Sequence, residues 1–172
     1  MNRITEEEAM DLWRGGAYTK INGQLAGVKY PFSYLRNDII VSDGVEYKTR
    51  IVINKIISCM IPYSEHKEKS GIGNVRYYRG EEISKFPTMS FIRETFTSLT
   101  SDKEQGISFK GDSGVLFCVN VHDDVYCIET GIEKELLIEP NCYWKFRKFE
   151  NGMYFIDILP FREGIPFYSD LF

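Results

Sequence analysis

Glu133 and Glu135 stand two positions apart in the run Glu133-Lys134-Glu135-Leu136-Leu137-Ile138, which Pro140 closes. From Glu135 onward the run is apolar and reads as a short buried strand. If the extended backbone begins at Glu133, both carboxylates project from one face, because side chains alternate along a strand. Two carboxylates on one face suit chemistry at a sugar ring. One stabilises positive charge on the ring while the other handles a proton. The same residues also read as a solvated acidic loop leading into a strand.

Other candidates lie upstream. Arg79 follows two tyrosines in Tyr78-Arg79-Gly80 at the end of a predicted strand. A guanidinium there binds phosphate through its planar fork, or is a surface arginine with its stem packed over the rings. Ser98, in Phe96-Thr97-Ser98-Leu99-Thr100, is a hydrogen-bonding hydroxyl or an ordinary turn or cap residue. Gly111-Asp112-Ser113-Gly114 matches the nucleophile segment of chymotrypsin-like serine proteases, with His66 and Asp102 before it in the right order. The interval from His66 to Ser113 is too short for the barrel such an enzyme needs. Gly/Asp/Ser also make a plain turn before a strand. Phe109 and Trp144 read as core by composition, and His66 and His122 as solvated.

The elements that must position these residues change character along the chain. Thr5 and Glu8 form a capping box, and Ile4, Ala9, Leu12 and Trp13 follow at helical spacing up to Gly15-Gly16. Tyr18, Ile21 and Leu25 continue that spacing towards Gly27. Phe32, Leu35, Ile39 and Ile40 suggest a further short helix, Asp43-Gly44 a turn, and Ile53, Ile56, Ile57 and Met60 an amphipathic helix ending at Pro62. Ser64 to Gly73 is polar and reads as a surface loop. From Asn74 the pattern turns to strands: Val75 to Tyr78, a strand at Phe96, then Val115 to Val121, Val125 to Ile128, Leu136 to Ile138, Cys142 to Phe149 and Met153 to Leu159. Asn151-Gly152 marks a hairpin between the last two. With no linker and no repeat, residues 1–172 read as a single α+β domain, a helical N-terminal part followed by a β-rich core.

Taken in order, Tyr78-Arg79-Gly80, the Ser98 segment and Glu133-Lys134-Glu135 resemble the Arg–Ser–Glu class of mono-ADP-ribosyltransferases, the group that includes arginine-modifying bacterial toxins and phage enzymes. Tyr18-Thr19-Lys20-Ile21-Asn22-Gly23-Gln24-Leu25-Ala26-Gly27 is similar to a helix often found upstream in that family. The resemblance implies two packed, mostly antiparallel sheets and NAD as co-substrate. Arg79 would hold the NAD phosphates, and Gly80 would let its backbone approach the nicotinamide. Ser98 would help place Glu135, and Glu135 would bond the ribose and stabilise the oxocarbenium-like transition state. Glu133 would orient the acceptor and help remove its proton. Phe109 falls about where family members stack a ring on the nicotinamide. The acceptor implied is an arginine of a protein target. Alternatives are NAD glycohydrolysis, with water as acceptor, and a non-catalytic binding module on the same fold. Ser98-Leu99-Thr100 replaces the family's Ser-Thr-Ser, Ala26 replaces a frequent arginine, and the loop before Glu133 lacks the usual aromatic.

Bulk properties narrow the partners. At 172 residues the chain is long enough for one full core. A net charge of -4 gives no general attraction to nucleic acid or anionic membrane. No apolar run is long enough to span a bilayer. Glu6, Glu7 and Glu8 stand where a secretory signal would be apolar, so a cytoplasmic protein is expected. Cys59, Cys118, Cys127 and Cys142 have no metal-ligand spacing and are expected to be reduced core residues, with no metal bound. The aromatic tail from Phe161 to Phe172 either packs on the core or docks a partner.

Overall fold

The structure is a computed structural model that describes residues 3–26, 37–73, 75–82, 89–132 and 134–161. Glu133, Gly27, Phe32, Leu35 and the tail beyond Phe161 lie outside the described residues. The chain divides into two compact units, Met1–Met60 and Ile61–Phe172.

In the first unit, α1 (Glu6–Leu12) starts on the predicted capping box. The Thr5 hydroxyl accepts from Glu8 N at 3.1 Å, and the Glu8 carboxylate accepts from Thr5 N at 2.7 Å. Gly15-Gly16 breaks the helix as expected, because Gly16 takes a non-helical conformation and the chain kinks there. A π turn over Trp13–Ala17, with Gly16 at φ 102°, carries the chain into α2 (Tyr18–Leu25). Ile39 and Ile40 are not helical, contrary to their predicted place. They lie in β1 (Ile39–Ser42), which pairs with β2 (Val45–Lys48) around Asp43 and Gly44, at φ 49° and 75°. A two-residue turn with both φ positive fits the twist of a hairpin, and the β-branched neighbours favour the strand. The expected stripe sits on α3 (Thr49–Cys59), which buries Val52, Ile53 and Ile56 and packs against α1 and α2. Ile57 faces outward instead.

The second unit opens with β3 (Ile61–Pro62). The polar stretch expected to be a loop is α4 (Tyr63–Ser70), closed by Gly71 at φ 64°. Its pattern is charged, yet the charges suit a helix. Glu65 is in the first turn, Lys67 and Lys69 in the last, and Glu65 pairs with Lys69 at 3.1 Å. His66 is buried on this helix rather than solvated, stacked on the Tyr63 ring. The remaining elements are β4 (Tyr77–Glu81), β5 (Phe91–Arg93), β6 (Thr97–Thr100), α5 (Lys103–Lys110), β7 (Val115–Val121), β8 (Tyr126–Glu129), β9 (Glu135–Ile138), β10 (Cys142–Glu150) and β11 (Met153–Pro160). Asn151 and Gly152 close the β10–β11 hairpin at φ 52° and 74°, as their types predict.

The strands run in the order β3-β8-β9-β6-β4-β7-β11-β10-β5, antiparallel throughout except for β7 with β11. β4 and β6 share only the pair Tyr78↔Thr100. The sheet therefore divides there into two wings. One buried cluster takes Leu99, Cys127, Leu136 and Ile138 from the first wing and Tyr77, Phe117, Trp144 and Ile156 from the second. This is the expected α+β architecture, with a helical N-terminal part and two packed, mostly antiparallel β layers. All four cysteines are free thiols, three buried and Cys59 half-buried. No described helix is long and apolar enough to cross a membrane.

α5 was not legible in the sequence. Its N-cap is Asp102, whose carboxylate accepts from Glu104 N at 3.1 Å. The helix packs on β4 and β7 through glycines. A Cβ on Gly80 would lie 2.0 Å from the Gly106 carbonyl oxygen, and one on Gly114 would lie 2.0 Å from that of Lys110. Backbone thus meets backbone with no room for a side chain.

Candidate active site

β6 lies between β9 and β4, and this order joins motifs that are far apart in sequence. Thr100 pairs with Glu135 and Ser98 with Leu137, so Ser98 and Glu135 project from one face on neighbouring strands. The Ser98 hydroxyl donates to Glu135 Oε1. From the other side, Arg79 Nη1 donates to the Ser98 carbonyl at 2.9 Å. Arg79, Ser98 and Glu135 therefore form one hydrogen-bonded chain across three strands.

The supports of Glu135 are rigid. Leu136, Leu137 and Ile138 are buried, which fixes β9 as the predicted short internal strand. Lys134, at φ 63°, turns the backbone into it, while its carbonyl accepts from Ser101 N at 2.9 Å. The Glu135 amide donates to Ile132 O at 3.2 Å. Glu135 also lines a cavity of about 350 Å³ with His66, Tyr77, Glu129 and Lys134. A larger cavity of about 720 Å³ lies in the N-terminal unit among Glu8, Asp11, Lys20 and Asp43, and holds none of the site residues.

Both departures at the serine motif have structural reasons. Leu99 points into the core, and the Thr100 hydroxyl serves α5, bonding Gln105 and Asp102 N, each at 3.0 Å. Neither residue disturbs Ser98.

Two residues of the site escaped the sequence reading. Glu81 Oε1 accepts from Arg79 Nε at 2.8 Å and from Arg93 Nη1 at 2.6 Å. Burial alone would raise the Glu81 carboxyl, but the two guanidinium groups outweigh it and hold the carboxyl below its ordinary value. Strand alternation could have flagged Glu81, which is two positions after Arg79. Nothing local pointed to Arg93.

Gly80 is on β4 with its Cα against the α5 backbone. Phe109, on the last turn of α5, is 58% exposed, so it is not the core residue its composition predicts. Trp144 is fully buried, as expected. The serine-protease elements are not assembled among the described residues. Ser113 sits in an exposed turn, Asp102 caps α5, and His66 faces Glu129 at 4.0 Å. Among the described residues no group of three or more His, Cys, Asp or Glu side chains is arranged to hold a metal ion.

No protein-family model matches the chain, and no curated protein matches it in sequence. Solved structures do match in fold. The Vis toxin, an ADP-ribosyltransferase from Vibrio splendidus, superposes with a TM-score of 0.59 at 18% identity, over 92% of this chain and 73% of that one. The ADP-ribosylating toxin BECa of Clostridium perfringens gives 0.57 at 14% identity, over 90% and 43%. The catalytic domain of VsdC from Aeromonas hydrophila gives 0.56 at 14%, over 91% and 100%. The architecture that carries Arg79, Ser98 and Glu135 is the ADP-ribosyltransferase fold.

Proposed function

We propose that the protein is an NAD-dependent mono-ADP-ribosyltransferase whose acceptor is an arginine side chain of a protein target. The observation that carries this reading is the hydrogen-bonded chain from Arg79 through Ser98 to Glu135. It supports the roles that the resemblance assigns to those residues. The N-glycosidic bond of NAD breaks with its electron pair leaving on nicotinamide, which departs neutral. Glu135, held by Ser98, stabilises the ring cation and bonds the ribose hydroxyl. Arg79 holds the pyrophosphate. The acceptor nitrogen attacks the opposite face of the anomeric carbon and loses a proton, which Glu133 helps to remove. Phe109 offers an exposed ring for the nicotinamide.

The structural neighbours support both ligands. BECa is described with NADH, and Vis with agmatine, a small guanidino compound. Vis and BECa are toxins, which favours an effector acting on a protein target. The test is incubation of the protein with NAD and agmatine, beside Glu135→Ala. Nicotinamide and an ADP-ribosylated agmatine are expected from the wild type and neither from the variant. Nicotinamide without the adduct would favour water as acceptor. No nicotinamide release at all would refute the reading.

A further inference from the structure

We propose that Glu81, held in turn by Arg93, is a positioning residue that fixes the plane of the Arg79 guanidinium for the NAD pyrophosphate. The inference rests on the transferase reading above.

Arg79 is held at two points. Its Nε donates to Glu81 at 2.8 Å and its Nη1 to the Ser98 carbonyl at 2.9 Å. Two bonds from different edges of a planar group leave it no rotation. Among the described residues Nη2 makes no hydrogen bond, so the clamp leaves that end of the fork available for a phosphate oxygen. Remove Glu81, and one bond to Ser98 remains, about which the guanidinium can turn.

Glu81 can hold Arg79 only if it is itself held. Arg93 does this from the opposite edge of the wing. β4 and β5 are its two outermost strands, with β7, β11 and β10 between them in the sheet, yet Arg93 reaches Glu81 at 2.6 Å. The wing is therefore strongly coiled, and this ion pair ties its ends together. The Arg93 guanidinium also lies 4.1 Å from the ring centre of the buried Trp144, within cation–π range. The side chains of Glu81 and Arg93 are only 16% and 15% exposed, whereas that of Arg79 is 31% exposed. The two inner groups are held within the protein, and the outer one is the more accessible to solvent. Two guanidinium groups against one carboxylate leave a positive charge over, which favours an anionic ligand.

A clamp of this kind acts mainly on substrate affinity, since the pyrophosphate bears the same charge before and during bond cleavage. A charge-assisted bond to an arginine supports an effect of about tenfold. The experiment measures kcat and KM for NAD, by nicotinamide release, in wild type, in Glu81→Gln and in the double variant Glu81→Gln/Arg93→Met. Melting temperatures are measured alongside. The double variant removes the charge that Glu81→Gln leaves buried without a partner and keeps a side chain against Trp144. Both variants are expected to raise KM by about tenfold, with a smaller change in kcat, and the double variant to recover stability lost in the single one. An unchanged KM in Glu81→Gln overturns the proposal. So does a double variant in which KM recovers together with stability, because Glu81 would then act only by neutralising Arg93. If the wild type itself releases no nicotinamide, the transferase reading falls and takes this inference with it. If the wild type is active and only the KM prediction fails, the inference alone falls.

Discussion

Gly80 separates two explanations of the Tyr78-Arg79-Gly80 motif, and a single methyl group tests them. A Cβ at this position would lie 2.0 Å from the Gly106 carbonyl oxygen, 2.4 Å from Lys110 N and 3.0 Å from the Phe109 carbonyl carbon. All three are backbone atoms of α5, so no side chain can swing away. An ordinary contact begins near 3.4 Å, which means that α5 must withdraw by about 1.4 Å. Overpacking in a filled interior costs about 1–3 kcal/mol, and a backbone clash of this depth belongs at the upper end. For a domain of this size about 3 kcal/mol corresponds to a loss of roughly 6–12 °C in melting temperature. The assay is thermal unfolding of Gly80→Ala, with nicotinamide release measured on the folded protein. Gly106→Ala is the control. Its Cβ would meet Tyr78 Cβ at 3.0 Å and the end of Leu116 at 3.1 Å, a milder conflict. Its helix also gains about 0.8–1.0 kcal/mol of propensity from alanine, so a much smaller loss is expected. A melting temperature for Gly80→Ala within a degree of wild type would refute the packing argument. If KM for NAD rose in that stable variant, Gly80 would instead serve the approach of its backbone to nicotinamide.

Ser98→Ala removes the hydroxyl that holds the Glu135 carboxylate. It should lower kcat for nicotinamide release by about tenfold or more, since a hydrogen bond to a charged group contributes about 1.5–3 kcal/mol. Glu133→Ala should abolish the agmatine adduct while nicotinamide release continues, and normal transfer would remove Glu133 from the mechanism. The Glu81 carboxyl is held below its ordinary value by Arg93 and Arg79 in spite of burial. Its folded value thus lies below its unfolded one, so the stability it contributes is complete above about pH 5 and lost as pH falls through the folded value. The difference in urea midpoint between wild type and Glu81→Gln should therefore narrow between pH 6 and pH 3. Burial pushes the Cys127 thiol up to about 12, and the half-buried Cys59 is the most accessible of the four. Native alkylation at pH 8 followed by peptide mass analysis should find Cys59 modified first and Cys127 protected until unfolding.

Legibility in the sequence followed the range of the interaction. The capping box at Thr5 and Glu8, the turn at Asp43-Gly44, the hairpin at Asn151-Gly152 and the buried run after Glu135 are all decided within a few residues, and the structure has each where its residues predict it. α4 is not legible in the sequence because helical pairing of Glu65 with Lys69 looks, as composition, like a charged loop. α5 is not legible because its reason for being there is not in its own sequence. Gly106 weakens the helix locally, and the atoms its missing side chain would meet belong to Tyr78 on β4 and Leu116 on β7. The parallel pairing of β7 with β11 and the reach of Arg93 to Glu81 are likewise products of sheet order, which no local pattern encodes.

The same distinction explains why a motif with two of its three serine-segment positions altered still assembles a site. On β6 the side chains alternate, so Ser98 and Thr100 share a face and Leu99 takes the other. Leu99 answers to the core cluster, and any apolar residue of similar volume would satisfy it. Thr100 answers to the start of α5, where its hydroxyl meets Gln105 and Asp102 N. Only Ser98 answers to Glu135. A three-residue motif thus contains three independent demands, and a change at two of them leaves the third untouched. Arg79 is the opposite case. It is one residue in the motif, but its orientation depends on Ser98 beside it and, through Glu81, on Arg93 at the far edge of the wing. A chain that kept Arg79 and lost Arg93 would keep the motif while loosening the clamp on it, so agreement with a short pattern and competence of the site are separable properties in this fold.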